Sequence, residues 1–401
     1  MKSFNGKMAV CLLGMGAAAG WWIVSGASAK SEKDHGGVTP PPFTTQYRRV
    51  NLVSDLNGVA RFTDPNLVNP WGIAIVPSSG RVWVADNGTG LSTIYSPSGT
   101  VQSLVVTVAP PAGSTNTAAP DGLVLDGLGR FHISEGTNSA AALFIFSTED
   151  GTVSGWSPSV DPTNTILMVD QSASNAVFKG LALATDSSSN EFLFVTDFHN
   201  GIVEKIDTNF NVVASFTDTS LPAGYAPFGI QNVNGDLYVT FAVQDDEKHD
   251  DVAGPGNGFV GVFDVNGNLL RQFAAHGALN SPWGIALAPD GFGEFSGAVL
   301  VGNFGDGTIN AFATNGTFLG QLTDAWGNVI AIDSLWGLAF NTPPTITVGY
   351  GHHTVQVEDI DKLKLYFTAG IGGEGHGLFG IIKPVRHDFR FDGFDGFGHD
   401  Y

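Results

Sequence analysis

One phrase recurs along this chain, and its spacing limits the fold more than any other property. An aromatic or polar residue followed by Gly-Ile or Gly-Leu leads into an apolar run six times. The copies are NPWGIAIV at Gly72, APDGLVLD at Gly122, VFKGLALA at Gly180, APFGIQNV at Gly229, SPWGIALA at Gly284 and SLWGLAFN at Gly337. Successive glycines stand 50, 58, 49, 55 and 53 residues apart. A single copy is an ordinary strand. Six copies at nearly even spacing are one structural unit used six times.

Each unit reads as four short strands, which we call a to d. In the first they are GIAIVP, RVWVADNG, STIYSP and VQSLVVTV, separated by turns such as PSSG and SPSG. The third and fifth units repeat the plan. Composition agrees, with 53 glycines in 401 residues and only 14% charged residues, as tight turns between β-strands require. The sixth unit runs WGLAF, KLYFTAG and GLFGIIKP and lacks a fourth strand. A spare strand, YRRVNLVSD at 47–55, precedes the first unit. The expected fold is therefore all-β: a six-bladed β-propeller with four-stranded blades, its ring closed by the N-terminal strand so that no sheet edge is left open. The expected domains are a signal peptide at 1–29, a linker at 30–44, the propeller at 45–383 and a low-complexity Phe/Asp/Gly tail at 384–401.

The N-terminus reads as an export signal. Lys2 and Lys7 precede the apolar run Met8–Val24, and Ala27-Ser28-Ala29 supplies a cleavage signal. An uncleaved membrane anchor is the competing reading, because 17 apolar residues are borderline for a span. Cleavage implies a secreted, periplasmic or cell-surface protein with no membrane span of its own. The one cysteine, Cys11, falls inside the signal. The mature chain then has neither disulfides nor thiolate ligands, and its core alone must hold it. Two of the 18 basic residues and none of the 38 acidic ones leave with the signal, so the net charge passes from −20 to −22. Such a surface repels nucleic acid and anionic lipid. It favours solubility and cations. The expected partners are a small molecule, a glycan or another protein, and the expected state is a monomer.

The pattern Pro-x-Gly-Ile, Val-x-Val-Ala-Asp, Asn-Gly resembles NHL-type six-bladed propellers. Three stretches are similar, more narrowly, to a bacterial family of secreted propellers without an assigned function. They are NLVSDLNGVARFTDPNLVNPWGIA (51–74), DDEKHDDVAGPGNGFVGVFD (245–264) and LYFTAGIGGEGHGLFG (365–380). The resemblance covers roughly 45–383 and implies the fold, not a chemistry. Some members end in a membrane-sorting tail, whereas this sequence ends in RHDFRFDGFDGFGHDY.

In a four-stranded blade the d–a and b–c connections share one face of the ring, so a site there is built from two columns. The residues before the six glycines are Trp71, Asp121, Lys179, Phe228, Trp283 and Trp336. They offer either a stacking platform for sugar rings and other flat groups or packing between blades, with Asp121 and Lys179 free to pair. The second column, at the ends of the b strands, is read as Asp86, Glu135, Asp197, Phe241, Asn303 and Ala369. Asp86, Glu135, Asp197 and Asn303 resemble the oxygen-rich site of propeller lactonases, where a hard cation such as calcium takes oxygen ligands on the axis. The competing role is capping of their own turns. His199, His249 and His376 fall in b–c loops and offer a zinc set of the kind some NHL-type lyases use, or simply exposed loop residues. His352 and His353 belong to an a–b insertion on the other face. The longest b–c loop, 244–258, carries Asp245, Asp246, Glu247, Asp250 and Asp251 without EF-hand spacing. It reads as a solvated lid or a loose calcium site. No Gly-x-Ser-x-Gly, His-Glu-x-x-His or P-loop pattern is present. The leading functional expectation is a ligand-binding or scaffold protein with no certain cofactor. The alternative is a cation-dependent hydrolase or lyase of the propeller lactonase type, with calcium as the candidate ion.

Overall fold

The computed structural model describes residues 46–341, 349–350, 353–354 and 363–385. The signal peptide, the linker and the C-terminal tail lie outside the described residues, as do most of the a–b insertion of the sixth unit and its histidine side chains.

Six sheets follow the six repeats. Their first strands are Pro70–Ile75, Pro120–Leu125, Phe178–Thr185, Tyr225–Val233, Pro282–Leu287 and Leu335–Phe340. Each is the inner edge of an antiparallel four-stranded sheet, which makes blades 1 to 6. In blade 6 the fourth strand is Tyr47–Ser54, antiparallel to Leu378–Pro384 from Tyr47↔Pro384 to Ser54↔Leu378. The N-terminal strand therefore closes the ring. A two-residue strand, Phe62–Thr63, adds to its outer side in parallel.

Strand parity builds the core. In the b strand of blade 1, Val82 and Val84 enter the cluster shared with blade 6, and Trp83 and Ala85 enter the cluster shared with blade 2. Successive side chains of a strand point to opposite faces, and here both faces are covered. This is why these strands read as unbroken apolar runs. Six of the buried clusters lie between adjacent blades, and a seventh sits on the axis.

The repeated glycine is where neighbouring blades touch. A Cβ at Gly72 would stand 2.6 Å from the Asp121 carbonyl oxygen, and one at Gly337 would stand 2.5 Å from that of Trp71. The other four glycines meet the next blade's inner strand in the same way, around the full ring. Each inner strand is bulged near its glycine. A hydroxyl from the adjacent b strand fills the gap in several blades: Thr368 Oγ1 accepts from Gly337 N at 2.9 Å and donates to the Trp71 carbonyl at 2.5 Å.

Blade 2 departs from the sequence reading. His132–Glu135 pairs with Asn138–Ala141 in a separate hairpin inserted between strands a and b. Strand b itself is Phe144–Thr148, with Thr148 opposite Pro120 as Asp86 is opposite Pro70. Both HISE and LFIFS have strand composition, so either can pass for strand b. The 58-residue interval, the longest of the five, holds the extra hairpin.

Candidate functional site

A cavity of about 360 Å³ opens at the axis on the face of the d–a and b–c connections. Trp71, Lys179 and Trp336 reach it from the starts of inner strands, with Asn69 just before one of them. Asn87, Glu149, His249, Asp250, Asp251, Phe304 and Glu374 reach it from b–c loops. Below it the axial channel narrows to about 40 Å³ among the ring of glycines.

The first predicted column does converge, and it forms the floor. Trp71 and Trp336 stack at 3.5 Å between ring centroids, and Trp283 meets both edge-on at 6.0 and 5.5 Å. Phe228 packs against Trp336 at 5.8 Å, and Phe304 stacks on Trp336 at 4.1 Å. Trp71, Phe228, Trp283 and Trp336 are all buried, so these rings plug the channel at this end. Trp283 Nε1 donates to the Lys179 carbonyl at 2.7 Å, and Trp336 Nε1 donates to Asn69 Oδ1 at 3.2 Å. Trp71 Nε1 has no hydrogen-bond partner among the described residues.

Asp121 and Lys179 do not pair with each other. Asp121 is fully buried and accepts the Ser147 hydroxyl at 2.5 Å. Burial pushes its carboxyl up to about 8. Lys179 is buried with its Nζ bonded to Glu149, and Asp250 Oδ1 stands 3.2 Å away. The ammonium also lies 5.1 Å from the centre of the Trp71 ring. Burial works to lower the Lys179 pKa, but Glu149 and Asp250 outweigh it and hold the group above its ordinary value. Asn87 Nδ2 orients Glu149 through Oε2 at 2.7 Å. His249 Nδ1 lies 3.0 Å from Asp250 Oδ1, and that bond raises His249 and lowers Asp250.

Across the cavity, Glu374 is presented by GIGGEGHG with three consecutive left-handed residues, Gly372, Gly373 and Glu374 at φ 71, 66 and 65°. The last is uncommon for a residue with a Cβ. Burial pushes the Glu374 carboxyl up to about 7, and its Oε1 has no partner among the described residues. Asp251 is raised by burial as well, and its Oδ2 is likewise unpartnered.

The second predicted column is one residue out of phase with the axis. Asp86, Thr148, Asp197, Phe241, Asn303 and Ala369 occupy the register position opposite the inner strands. Their side chains turn between blades, as Phe241 and Ala369 show by joining inter-blade clusters. Asp197 accepts from Val177 N at 3.3 Å and Asn200 N at 3.1 Å, the turn-capping role. Asn303 accepts from Asn280 N at 3.1 Å and donates to the Ala278 carbonyl at 2.8 Å in the preceding d–a connection, and donates within its own turn to Asp306 Oδ1 at 3.2 Å. Asp86 is buried beside Thr93, Asp64 and Tyr95, and burial pushes it well above the carboxylate range. Glu135 is exposed on the inserted hairpin of blade 2. These four do not gather into one ligand set.

The residues that do reach the axis come next in sequence: Asn87, Glu149, Phe198, Ala242 and Phe304. Their shared position is marked by the backbone, since Asn87, Glu149, Phe198 and Phe304 donate N–H bonds of 2.8–3.0 Å to Asn69, Ala119, Val177 and Ser281, each three residues before a repeat glycine. Among the loop histidines, His249 lines the cavity, His376 binds Asp55 Oδ2 at 2.7 Å, and His199 is half-buried away from it. Among the described residues, one group of three has ligand atoms all within 4.8 Å of one another: Glu149, His249 and Asp250.

Comparisons with known proteins agree with the propeller fold. The NHL repeat model matches residues 67–91. Two uncharacterised proteins of Acanthamoeba polyphaga mimivirus are 34% and 33% identical, over 86% and 82% of this chain and 82% and 84% of their own lengths. Among solved structures, a catalytically inactive virginiamycin B lyase from Staphylococcus aureus with quinupristin shares the fold at a TM-score of 0.50 and 13% identity, covering 85% of this chain and 100% of that one.

Proposed function

This chain belongs to the propeller family of those two mimivirus proteins, and from that premise we propose that it is an exported small-molecule-binding protein. The ligand seats in the axial cavity over the Trp71, Trp336 and Phe304 rings. One observation carries the reading: an open cavity of about 360 Å³, within the range of small-molecule sites, is rimmed by carboxylates that keep free acceptor atoms. Glu374 Oε1 and Asp251 Oδ2 are buried and unpartnered, and a buried acceptor left unmet costs roughly 1–3 kcal/mol. A ligand rich in donors, such as a polyol or an amine, relieves that cost. Export rests on the N-terminal signal pattern.

A thermal-shift screen of sugars, polyols and amines at pH 8, where Glu374 is ionised, tests this. The expected result is a class of ligand that raises the melting temperature of the wild type and loses its effect in Glu374→Gln. No stabilising ligand in any of these classes, or equal shifts in the variant, would count against the reading.

A cation-dependent hydrolase or lyase is the second reading. Its supporting observation is the Glu149, His249 and Asp250 cluster, with calcium or zinc as the ion, and it requires that ion to displace the Lys179 ammonium from Glu149 and Asp250. The predicted ligands Asp86, Glu135, Asp197 and Asn303 do not support it, because they stand apart. The virginiamycin B lyase likeness supports a shared fold only.

A further inference from the structure

Lys179 is an unexpected residue at the centre of an acidic face. It belongs to a chain of net charge −20 with 18 basic residues, yet its side chain is 2% exposed. Its ammonium bonds Glu149, lies 3.2 Å from Asp250 Oδ1 and hangs above Trp71. Glu149 and Asp250 belong to the same trio, with His249, whose ligand atoms all fall within 4.8 Å. Zinc–nitrogen and zinc–oxygen bonds are ~2.0–2.2 Å, so a closing of the three side chains by a few tenths of an ångström lets one ion reach all three. Two carboxylates and an imidazole suit Zn²⁺ or Mn²⁺. Glu374 and Asp251 add negative charge around the same cavity, each with a buried oxygen unpartnered. Everything that recruits a divalent ion is present, and a tethered monovalent cation already holds two of its ligands. An ammonium and a metal ion cannot share carboxylate oxygens a few ångströms apart without strong repulsion.

We propose that the Lys179 ammonium occupies the seat of a divalent metal ion, so that the native protein works without one, and that neutralising Lys179 turns Glu149, His249 and Asp250 into a metal site. The inference is independent of which small molecule enters the cavity.

The test titrates the full chain with Zn²⁺ and with Mn²⁺ by calorimetry, and follows melting with and without a chelator. Wild type and Lys179→Arg, which keeps the charge, are expected to bind weakly and to melt alike with or without chelator. Lys179→Met is expected to bind one ion per chain at least about 100-fold more tightly, the direction set by removing a unit charge at close range. Adding Glu149→Gln to Lys179→Met should abolish that gain. Removing one partner from a buried ion pair is destabilising, so Lys179→Met risks unfolding on its own. In that case Zn²⁺ or Mn²⁺ should restore its cooperative melt. Tight one-to-one binding by the wild type overturns the proposal. So does a folded Lys179→Met that binds no more tightly than wild type, or an unfolded one that neither ion rescues.

Discussion

Asp121 shows how a single buried carboxyl reports on the whole ring. It sits where other blades place Trp or Phe, its Oδ1 is satisfied by Ser147, and its Oδ2 has no partner among the described residues. With its pKa pushed up to about 8 by burial, the folded state holds a proton that the unfolded chain releases near pH 4. Stability from this group is therefore complete below about pH 4 and is lost as pH rises through about 8. Asp121→Asn keeps the Ser147 bond and removes the titration. It should raise stability relative to wild type by up to about 5 kcal/mol at pH 8.5, from roughly four pH units at about 1.36 kcal/mol each, and by almost nothing at pH 4. Denaturant melts at the two pH values check this, and parallel profiles for the two proteins would refute it. Glu374, pushed up to about 7, applies the same chemistry to binding. Affinity for a donor-rich ligand should rise as pH passes through 7 in the wild type and stay flat in Glu374→Gln, measured by calorimetry.

At the scale of strands, the inner-strand glycine is a spacing device. Gly72→Ala places a methyl group 2.6 Å from the Asp121 carbonyl oxygen and 2.9 Å from Leu123 N. Backbone atoms cannot swing aside, so a cost at the upper end of the usual ~1–3 kcal/mol for overpacking is expected, read as a lower denaturation midpoint at unchanged slope. The closing strand carries a second test. Val50 pairs with Ile381, and Val50→Pro, which removes an N–H from that ladder, should cost at least about 1 kcal/mol. Elements of this kind were legible in the sequence. NPWGIAIV and its relatives mark six inner strands, and the missing fourth strand of the last unit is supplied by YRRVNLVS. Two things were not. In blade 2, HISE and LFIFS are equally good strands by composition, and only the long interval hints at an insertion. At the ends of the b strands, a one-residue change of phase swaps the axis for the inter-blade layer. Asp86 and Asp197 attract attention as ligands, while Asn87 after Asp86 and Glu149 after Thr148 reach the cavity. Glu149 sits in STEDG, which looks like an ordinary turn.

For the whole molecule, charge and closure act together. A net charge of −20 at neutral pH repels itself in the compact state. Raising salt from low to physiological ionic strength should therefore increase the melting temperature by a few degrees at pH 7, and have little effect near the isoelectric point of about 4.6. A salt response of equal size at both pH values would show that the charge balance is not its cause. The two ends of the ring share blade 6, where Tyr47 is opposite Pro384 and Val385 N donates to the Gln46 carbonyl at 2.7 Å. The strand from Tyr47 runs toward the d–a face, and the strand to Pro384 runs away from the b–c face. Entry and exit therefore occur together on the side opposite the cavity. A support that held the ring directly at Gln46 or Val385 would therefore face its back, and the cavity would open away from that support.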